Sequence, residues 1–177
     1  MSETEQSLWA QIAEDYVAHG RDWTKPGFRA VAVHRFGVWR LGIRAKLLRA
    51  PMTILYRWAF RRCRNIYGIE LPYSVKLGRR VVVEHQGGIV VHGNTQIGDD
   101  CIIRQNCTFG IRTLTDLTAA PVLENGVNVG AGAVILGAVR IGAGAAIGAN
   151  AVVLSDVPAG AMAAGVPARL IRQQPAH

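Results

Sequence analysis

The 177-residue sequence predicts a mostly β protein, in which a parallel β-helix follows an α-helical N-terminal segment. From Leu123 to Val153 an aliphatic residue returns at every sixth position, and glycine directly follows three of these six residues. A period of six fits neither the 3.6-residue period of an α-helix nor the alternation of a half-buried strand. It is typical of a parallel β-helix, in which each hexad forms one side of a coil and points its aliphatic side chain inward. The same register extends back to Val91 and, after a slip, to Leu77.

Apolar residues at helical spacing predict the N-terminal helices. The first is expected over residues 7–19, and the second over 27–48 after the start signal Pro26-Gly27. Pro51 is expected to begin a third helix that runs to about residue 65. The predicted organisation is therefore an α-helical segment over 1–66 and a β-helix domain over 67–172.

Charge and cysteine usage limit the partners and the compartment. The net charge is +8, and the stretch between Trp23 and Ile69 contains eleven Lys or Arg and no acid. Such a block can attract an anionic cofactor or a membrane surface, or can simply be a solvated helical face. We predict no nucleic-acid partner and consider peripheral membrane contact.

The N-terminus lacks the features of a signal peptide, no uncharged apolar run reaches about 18 residues, and the three scattered cysteines predict reduced thiols. We therefore predict a cytoplasmic location, with the inner face of the membrane as the alternative.

The hexad region has two interruptions. Val83 and Val91 are eight residues apart, so two extra residues must bulge within residues 84–88. Phe109 and Leu123 are fourteen apart rather than twelve, so residues 110–121 are expected to leave the coil as a loop. Binding and catalysis are expected at such departures from a regular solenoid.

His85 lies in the first bulge, next to Glu84 and before two glycines. An imidazole can take a proton from a hydroxyl near neutral pH, so His85 is a candidate general base, although an ordinary surface histidine is the alternative. His92, in a turn-like His-Gly-Asn, is its rival. A carboxylate bonded to the far ring nitrogen would fix the tautomer, and Glu70, fifteen residues earlier, is the candidate.

Several stretches together resemble the serine acetyltransferase family of hexapeptide acyltransferases. They are Ile69–Gly78, Glu84–Val91, Gly130–Gly137 and Ala163–Arg169, and the end of that family's helical domain is matched by Pro26–Ala30. The order and spacing agree throughout, so the resemblance covers nearly the whole chain.

The resemblance implies a left-handed parallel β-helix, a homotrimer, and transfer of acetyl from acetyl-CoA to a hydroxyl without a metal. His85 falls on the family's general base, and Glu70 falls on the position of its aspartate partner. Asp22 and Glu84 are the implied acceptor-binding residues. The implied cofactor-binding residues are Gly110, Arg112, Gly130, Ala131, Gly148, Ala149, Gly165 and Pro167.

The departures from the family predict a different acceptor. The family carries an Arg-His pair in the loop that helps to hold the amino-acid acceptor, whereas this chain has Ala119-Ala120, and its helical domain is short. We therefore predict a saccharide acceptor, as in the branch that acetylates sugars during exopolysaccharide or capsule synthesis, with serine O-acetyltransferase as the alternative. A zinc hydrase resembling γ-class carbonic anhydrases would need three histidines, but the coil region offers only His85 and His92. A non-catalytic scaffold is the third possibility.

Overall fold

The computed structural model describes residues 7–171, in which three α-helices precede fifteen short strands. The helices are α1 Leu8–Ala18, α2 Pro26–Trp39 and α3 Lys46–Arg62, with a 3₁₀ turn at Arg40–Gly42 and a π-helical turn at Cys63–Tyr67. The strands are β1 Ile69–Glu70, β2 Lys76–Leu77, β3 Val82–Val83, β4 Ile89–Val91, β5 Gln96–Ile97, β6 Ile102–Ile103, β7 Thr108–Gly110, β8 Val122–Leu123, β9 Asn128–Val129, β10 Val134–Leu136, β11 Arg140–Ile141, β12 Ala146–Ile147, β13 Val152–Val153, β14 Met162–Ala164 and β15 Arg169–Ile171. Residues 1–6 and residue 172 of the predicted spans lie outside the described residues.

Two predicted helix boundaries are wrong. The second helix ends at Trp39 rather than at residue 48, because the chain turns through a 3₁₀ segment and then becomes extended at Ile43. The third helix begins at Lys46, so Pro51 lies inside it rather than at its start. Proline lacks an N–H and so removes the bond to the carbonyl of Leu47. Leu47 is highly exposed, so water can satisfy that carbonyl. No helix of the described residues is long and apolar enough to cross a membrane.

From β1 to β10, each strand pairs in parallel with the third strand along the chain, so successive strands lie on three sides of a coil. Beyond that point β12 pairs with β14, because the side between them has only the isolated bridge of Ile141 with Val157. Sheet A has the order β1-β4-β7-β10-β13, and sheet B has β11-β8-β5-β2. Sheet C has β15-β14-β12-β9-β6-β3, with only β15 antiparallel to its neighbour. This pairing confirms the predicted mostly β fold with parallel sheets, hexad repeats and N-terminal helices.

The hexad positions form the core. Phe109, Ile135 and Ile141 are fully buried, and the residues at the same position of the other coils are buried with them in one cluster. Stacking of aliphatic side chains from coil to coil removes each of them from water. Each fully buried side chain then contributes about 1.5–3 kcal/mol to the free energy of unfolding. The six-residue period is thus the spacing between inward positions on adjacent sides.

Register shows what the two interruptions insert. Regular coils pair residues 18 apart, as in Val134 with Val152. Coils that contain the first bulge pair residues 20 apart, as in Val82 with Ile102. Coils that contain the loop pair residues 26 apart, so the loop adds eight residues to one side of a coil. Phe109 and Leu123 lie on adjacent sides of the coil, so their regular spacing would be six residues rather than twelve. The predicted excess of two residues was therefore too small.

Buried polar side chains attach the helical segment to the open edge of the first coil. The His19 ring accepts a bond from the Val83 N–H at 3.2 Å, and its other nitrogen donates to the Asp15 carbonyl at 2.7 Å. The His34 ring donates to the Val75 carbonyl at 2.9 Å. Burial lowers the pKa of His19 and lowers that of His34 to about 4, so both rings are neutral at pH 7.

Arg35 makes the strongest of these attachments. Its guanidinium donates to the carbonyls of Leu77 and Gly78 and forms a buried ion pair with Asp15 at 2.9 Å. Charge-assisted bonds of this kind fix one element on another because both charges would be unpaired if the elements separated. Helices α1 and α2 are therefore fixed on the first coil.

Candidate active site

The first bulge places His85 on the surface beside the helical segment. His85 has a φ of 67°, in the left-handed region, and Gly87 and Gly88 follow it with φ of 99° and 62°. The bulge is held on both sides, because the Gly87 N–H donates to the Tyr67 carbonyl and the Gly87 carbonyl accepts from the Asn106 N–H, both at 2.8 Å. A fixed backbone thus presents an exposed imidazole.

A cleft of about 740 Å³ lies between the helical segment and the coil, and His85 lines it. Its other lining residues are Ala18, His19, Gly20, Lys25, Pro26, Gly27, Val82, Val83, Glu84, Gln86 and Gln105. Lys25 is the one lysine or arginine in that set. The side-chain oxygen of Gln105 is buried and has no hydrogen-bond partner within residues 7–171. A bound molecule with an N–H or O–H group could satisfy it.

His85 also begins a column of corner turns. Val83, Ile103, Val129, Ile147 and Ala163 are aligned from coil to coil, so the residue pairs that follow them lie one above the other. These pairs are Glu84-His85, Arg104-Gln105, Gly130-Ala131, Gly148-Ala149 and Ala164-Gly165. The structure therefore brings His85 and five of the eight predicted cofactor positions onto one corner of the coil.

The glycines of this column are required by close backbone packing. A Cβ on Gly130 would lie 2.6 Å from the Ala149 nitrogen, and one on Gly148 would lie 2.7 Å from the Ala164 Cβ. Because no larger side chain fits, the upper part of the corner is a strip of backbone and small side chains. Such a strip lets an extended ligand lie against the backbone.

The predicted acceptor residues lie close to the cleft. Glu84 lines it and forms an ion pair with Arg104 at 3.0 Å. Asp22 lies in the turn between α1 and α2 and accepts bonds from the Thr24 hydroxyl and N–H at 2.5 and 2.8 Å. These bonds lower the pKa of Asp22, so it is anionic at neutral pH. Asp22 is outside the lining set, although Gly20 and Lys25 on either side of it belong to that set.

Four predicted site residues remain, and none of them belongs to the turns of the column. Glu70 lies on sheet A, paired with Val90, and no hydrogen bond or ion pair between described residues joins it to His85. Gly110 and Arg112 follow β7, and the Gly110 carbonyl accepts from the Gly137 N–H at 2.9 Å, on a different corner of the coil. Pro167 follows two residues after Gly165, near the far end of the column.

Sequence reasoning missed Lys25 and Gln105. Gln105 could have been found from register, because it lies one coil above His85 at the same corner. Lys25 has no comparable signal, since it reaches the cleft only through the packing of α2 on the coil. No group of three or more His, Cys, Asp or Glu that could hold a metal ion occurs between residues 7 and 171.

Known proteins resemble this chain in both sequence and structure. Residues 120–155 match the family described as bacterial transferase hexapeptide (six repeats). A serine acetyltransferase of Synechococcus elongatus is 34% identical over 146 residues, which are 82% of this chain and 57% of the relative. Soybean serine acetyltransferase complexed with serine has a TM-score of 0.78 and 31% identity, covering 93% of this chain and 70% of the soybean chain. This chain belongs to the hexapeptide transferases.

Serine acetyltransferases are homologues of this hexapeptide transferase. A serine acetyltransferase in complex with CoA also matches it, with a TM-score of 0.77 and 31% identity over 93% of this chain and 70% of the other. The chain spans between 50% and 63% of the length of the curated relatives that it matches first.

The prediction of a saccharide acceptor is wrong. The sequence and structural relatives named above are serine acetyltransferases, and none of them supports the exopolysaccharide or capsule branch. The absence of the Arg-His pair at Ala119-Ala120 is a local difference, whereas 82% of this hexapeptide transferase aligns with a serine acetyltransferase. The comparisons give no support for membrane contact either.

Proposed function

We propose that this chain is an acetyl-CoA-dependent serine O-acetyltransferase and that His85 is its general base. The observation that carries the proposal is the column of corner turns, in which an exposed imidazole in a cleft lies at one end of a strip of small residues. Such a strip suits the long, thin arm of acetyl-CoA, and the relative solved with CoA has the same fold. The left-handed winding is part of the proposal, because pairing of every third strand would be the same for either hand.

In the proposed reaction, the unprotonated His85 nitrogen takes the proton of the serine hydroxyl as its oxygen attacks the thioester carbonyl. The tetrahedral intermediate then collapses, the carbon–sulfur bond breaks, and the proton passes from His85 to the departing CoA sulfur. The products are O-acetylserine and CoA. Glu70 is proposed to orient the imidazole.

Serine carries a carboxylate, which needs a positive partner in a site that selects it. The Arg-His pair of the family is replaced by Ala119 and Ala120, and Ala120 is buried. We propose that Lys25 takes this role, because it is the cation on the wall of the cleft that contains His85. Glu84 and Asp22 are proposed to receive the ammonium group.

The test is release of CoA thiol by the purified chain with acetyl-CoA and L-serine. His85→Ala should lower kcat by about two to four orders of magnitude while acetyl-CoA still binds, because a base acts on the transition state. His92→Ala is the matched control and should change kcat little, since His92 lies in the turn after β4. Thiol release that does not depend on serine, or equal loss in the two variants, would contradict the proposal.

The same assay tests Lys25. Lys25→Ala should raise the KM for serine about tenfold or more and Lys25→Arg should restore much of it, because hydrogen bonds to charged groups contribute about 1.5–3 kcal/mol. Serine methyl ester has no carboxylate, so its KM should respond much less to Lys25→Ala. If wild type uses serine but Lys25→Ala leaves its KM unchanged, the role of Lys25 fails and the proposed reaction stands.

A further inference from the structure

Helix α3 is apolar on the side that faces away from the protein. Leu47, Ile54 and Trp58 are 91%, 70% and 61% exposed, and Pro51 and Leu55 are exposed with them. Pro51, Ile54, Leu55 and Trp58 follow Leu47 by four, seven, eight and eleven residues, so the five lie along one stripe of the helix, which we call the outer face of α3. The domain already packs against the opposite side, where Tyr56 is buried.

Arginines flank the outer face. Arg57 and Arg61 lie along one border of the stripe, Arg62 lies one turn after Trp58 at its C-terminal end, and all three are exposed. No salt bridge within residues 7–171 engages them. No aspartate or glutamate occurs between Trp23 and Ile69, so nothing in this part of the chain neutralises the border. The surface therefore combines an apolar centre with a purely cationic rim.

We propose that the outer face of α3 binds the surface of an anionic lipid bilayer, with the helix axis parallel to the membrane. An amphipathic helix in this orientation buries aliphatic and tryptophan side chains at the boundary between headgroups and acyl chains. Its arginines then lie at the level of the lipid phosphates, where positive charge is attracted to anionic headgroups. This proposal does not depend on the identity of the acceptor.

Charge complementarity favours lipid over other partners. Pairing of this face with the same face of a second copy would bring two sets of arginines together without a counter-charge. A nucleic acid could neutralise the arginines, but its phosphates would gain nothing from contact with Leu47, Ile54 and Trp58. An anionic bilayer matches both the apolar centre and the cationic rim.

The test is co-sedimentation of the full chain with phosphatidylcholine vesicles and with vesicles of phosphatidylcholine and phosphatidylglycerol in a 7:3 ratio. Binding to the anionic vesicles should be at least about tenfold stronger and should weaken as salt is raised, because the attraction is partly electrostatic. The double variant Trp58→Ser with Arg61→Gln should lose at least about tenfold in affinity.

The control removes the same kinds of side chain elsewhere. Leu170→Ser with Arg169→Gln deletes one exposed apolar residue and one exposed arginine from β15, at the other end of the coil, and should leave binding unchanged. Circular dichroism should show that both variants are folded. Absence of binding, equal binding to the two kinds of vesicle, or equal loss in both double variants would overturn the proposal. The proposal would also be overturned if the Trp58 and Arg61 variant lost self-association or nucleic-acid binding while its lipid binding was unchanged.

Discussion

The histidines have different roles according to where they lie in the fold. His19 and His34 are buried and bonded to backbone, whereas His85 is exposed on a bulge. The first two are neutral structural groups whose pKa burial has lowered. Of the three, His85 is the exposed one, and it lines the cleft.

His34 should make the free energy of unfolding depend on pH. Its pKa is about 4 in the folded protein, against an ordinary value of 6.5, so between these values the unfolded chain binds a proton that the folded chain does not. Stability should therefore fall as the pH falls from about 6.5 to about 4, by roughly 3 kcal/mol from this group. Urea unfolding across this range, compared with His34→Gln, measures the effect. The glutamine keeps a donor for the Val75 carbonyl but does not titrate, and parallel pH curves for the two proteins would exclude this role.

A break in the hexad pattern made His85 predictable from the sequence. His85 follows from the two-residue bulge and its glycines, because a departure from a regular coil is visible as a slip of register. Lys25 and the attachment through Arg35 could not be predicted, since they depend on how the helices pack on the coil. Whether Glu70 orients His85 stays a prediction.

Among the elements, α2 and the first coil are in unusually close contact. Gly27 packs on β3, and a Cβ there would lie 1.9 Å from the Val83 carbonyl oxygen. This carbonyl belongs to the backbone and precedes His85 by two residues, so neither partner can move without disturbing the wall of the cleft. The packing of one helix thus fixes the position of the proposed base.

Gly27→Ala should therefore destabilise the protein and impair its activity. Insertion of a methyl group into a packed interface costs about 1–3 kcal/mol, and the shift of α2 should also lower kcat. Gly42→Ala is the control, because nothing lies within 4 Å of a Cβ at that position. The urea midpoint and kcat of each variant provide the comparison. A Gly27→Ala protein that matches the Gly42→Ala protein in both would show that this contact has no such importance.

Element types were easier to predict than their ends. The period of six predicts the inward residues, and helical spacing predicts three helices. The preference of proline for the first turn of a helix predicts a start at Pro51. In the structure, the extended backbone at Ile43 separates the helices instead. That break depends on local backbone conformation, which spacing of apolar residues does not encode.

At the scale of the whole molecule, we expect a neighbouring copy to complete the proposed site. The column offers one wall for a long ligand, while Gly110 and Arg112 lie on another corner of the same coil. A neighbouring copy could bring its own corner against the column. Closed symmetry satisfies every copy equally, and a three-sided coil suits a threefold axis.

We expect a homotrimer of about 57 kDa, three times the mass of the 19.1 kDa chain. Light scattering coupled to size exclusion at micromolar concentration measures this directly. Because the ligand would lie between copies, acetyl-CoA should also stabilise the trimer against dilution. A stable monomer with full activity would contradict the arrangement.

The attachment of the helical segment has one more consequence, which concerns length. A stack of parallel coils repeats along its axis, so a bare terminal coil presents the same backbone groups that a further coil would use. At one end, His19, His34 and Arg35 occupy such groups on and beside β2 and β3. At the other, the antiparallel strand β15 covers the edge of β14. Where these groups are occupied, a second molecule cannot continue the sheets, so the contacts that shape the cleft also oppose growth into fibres.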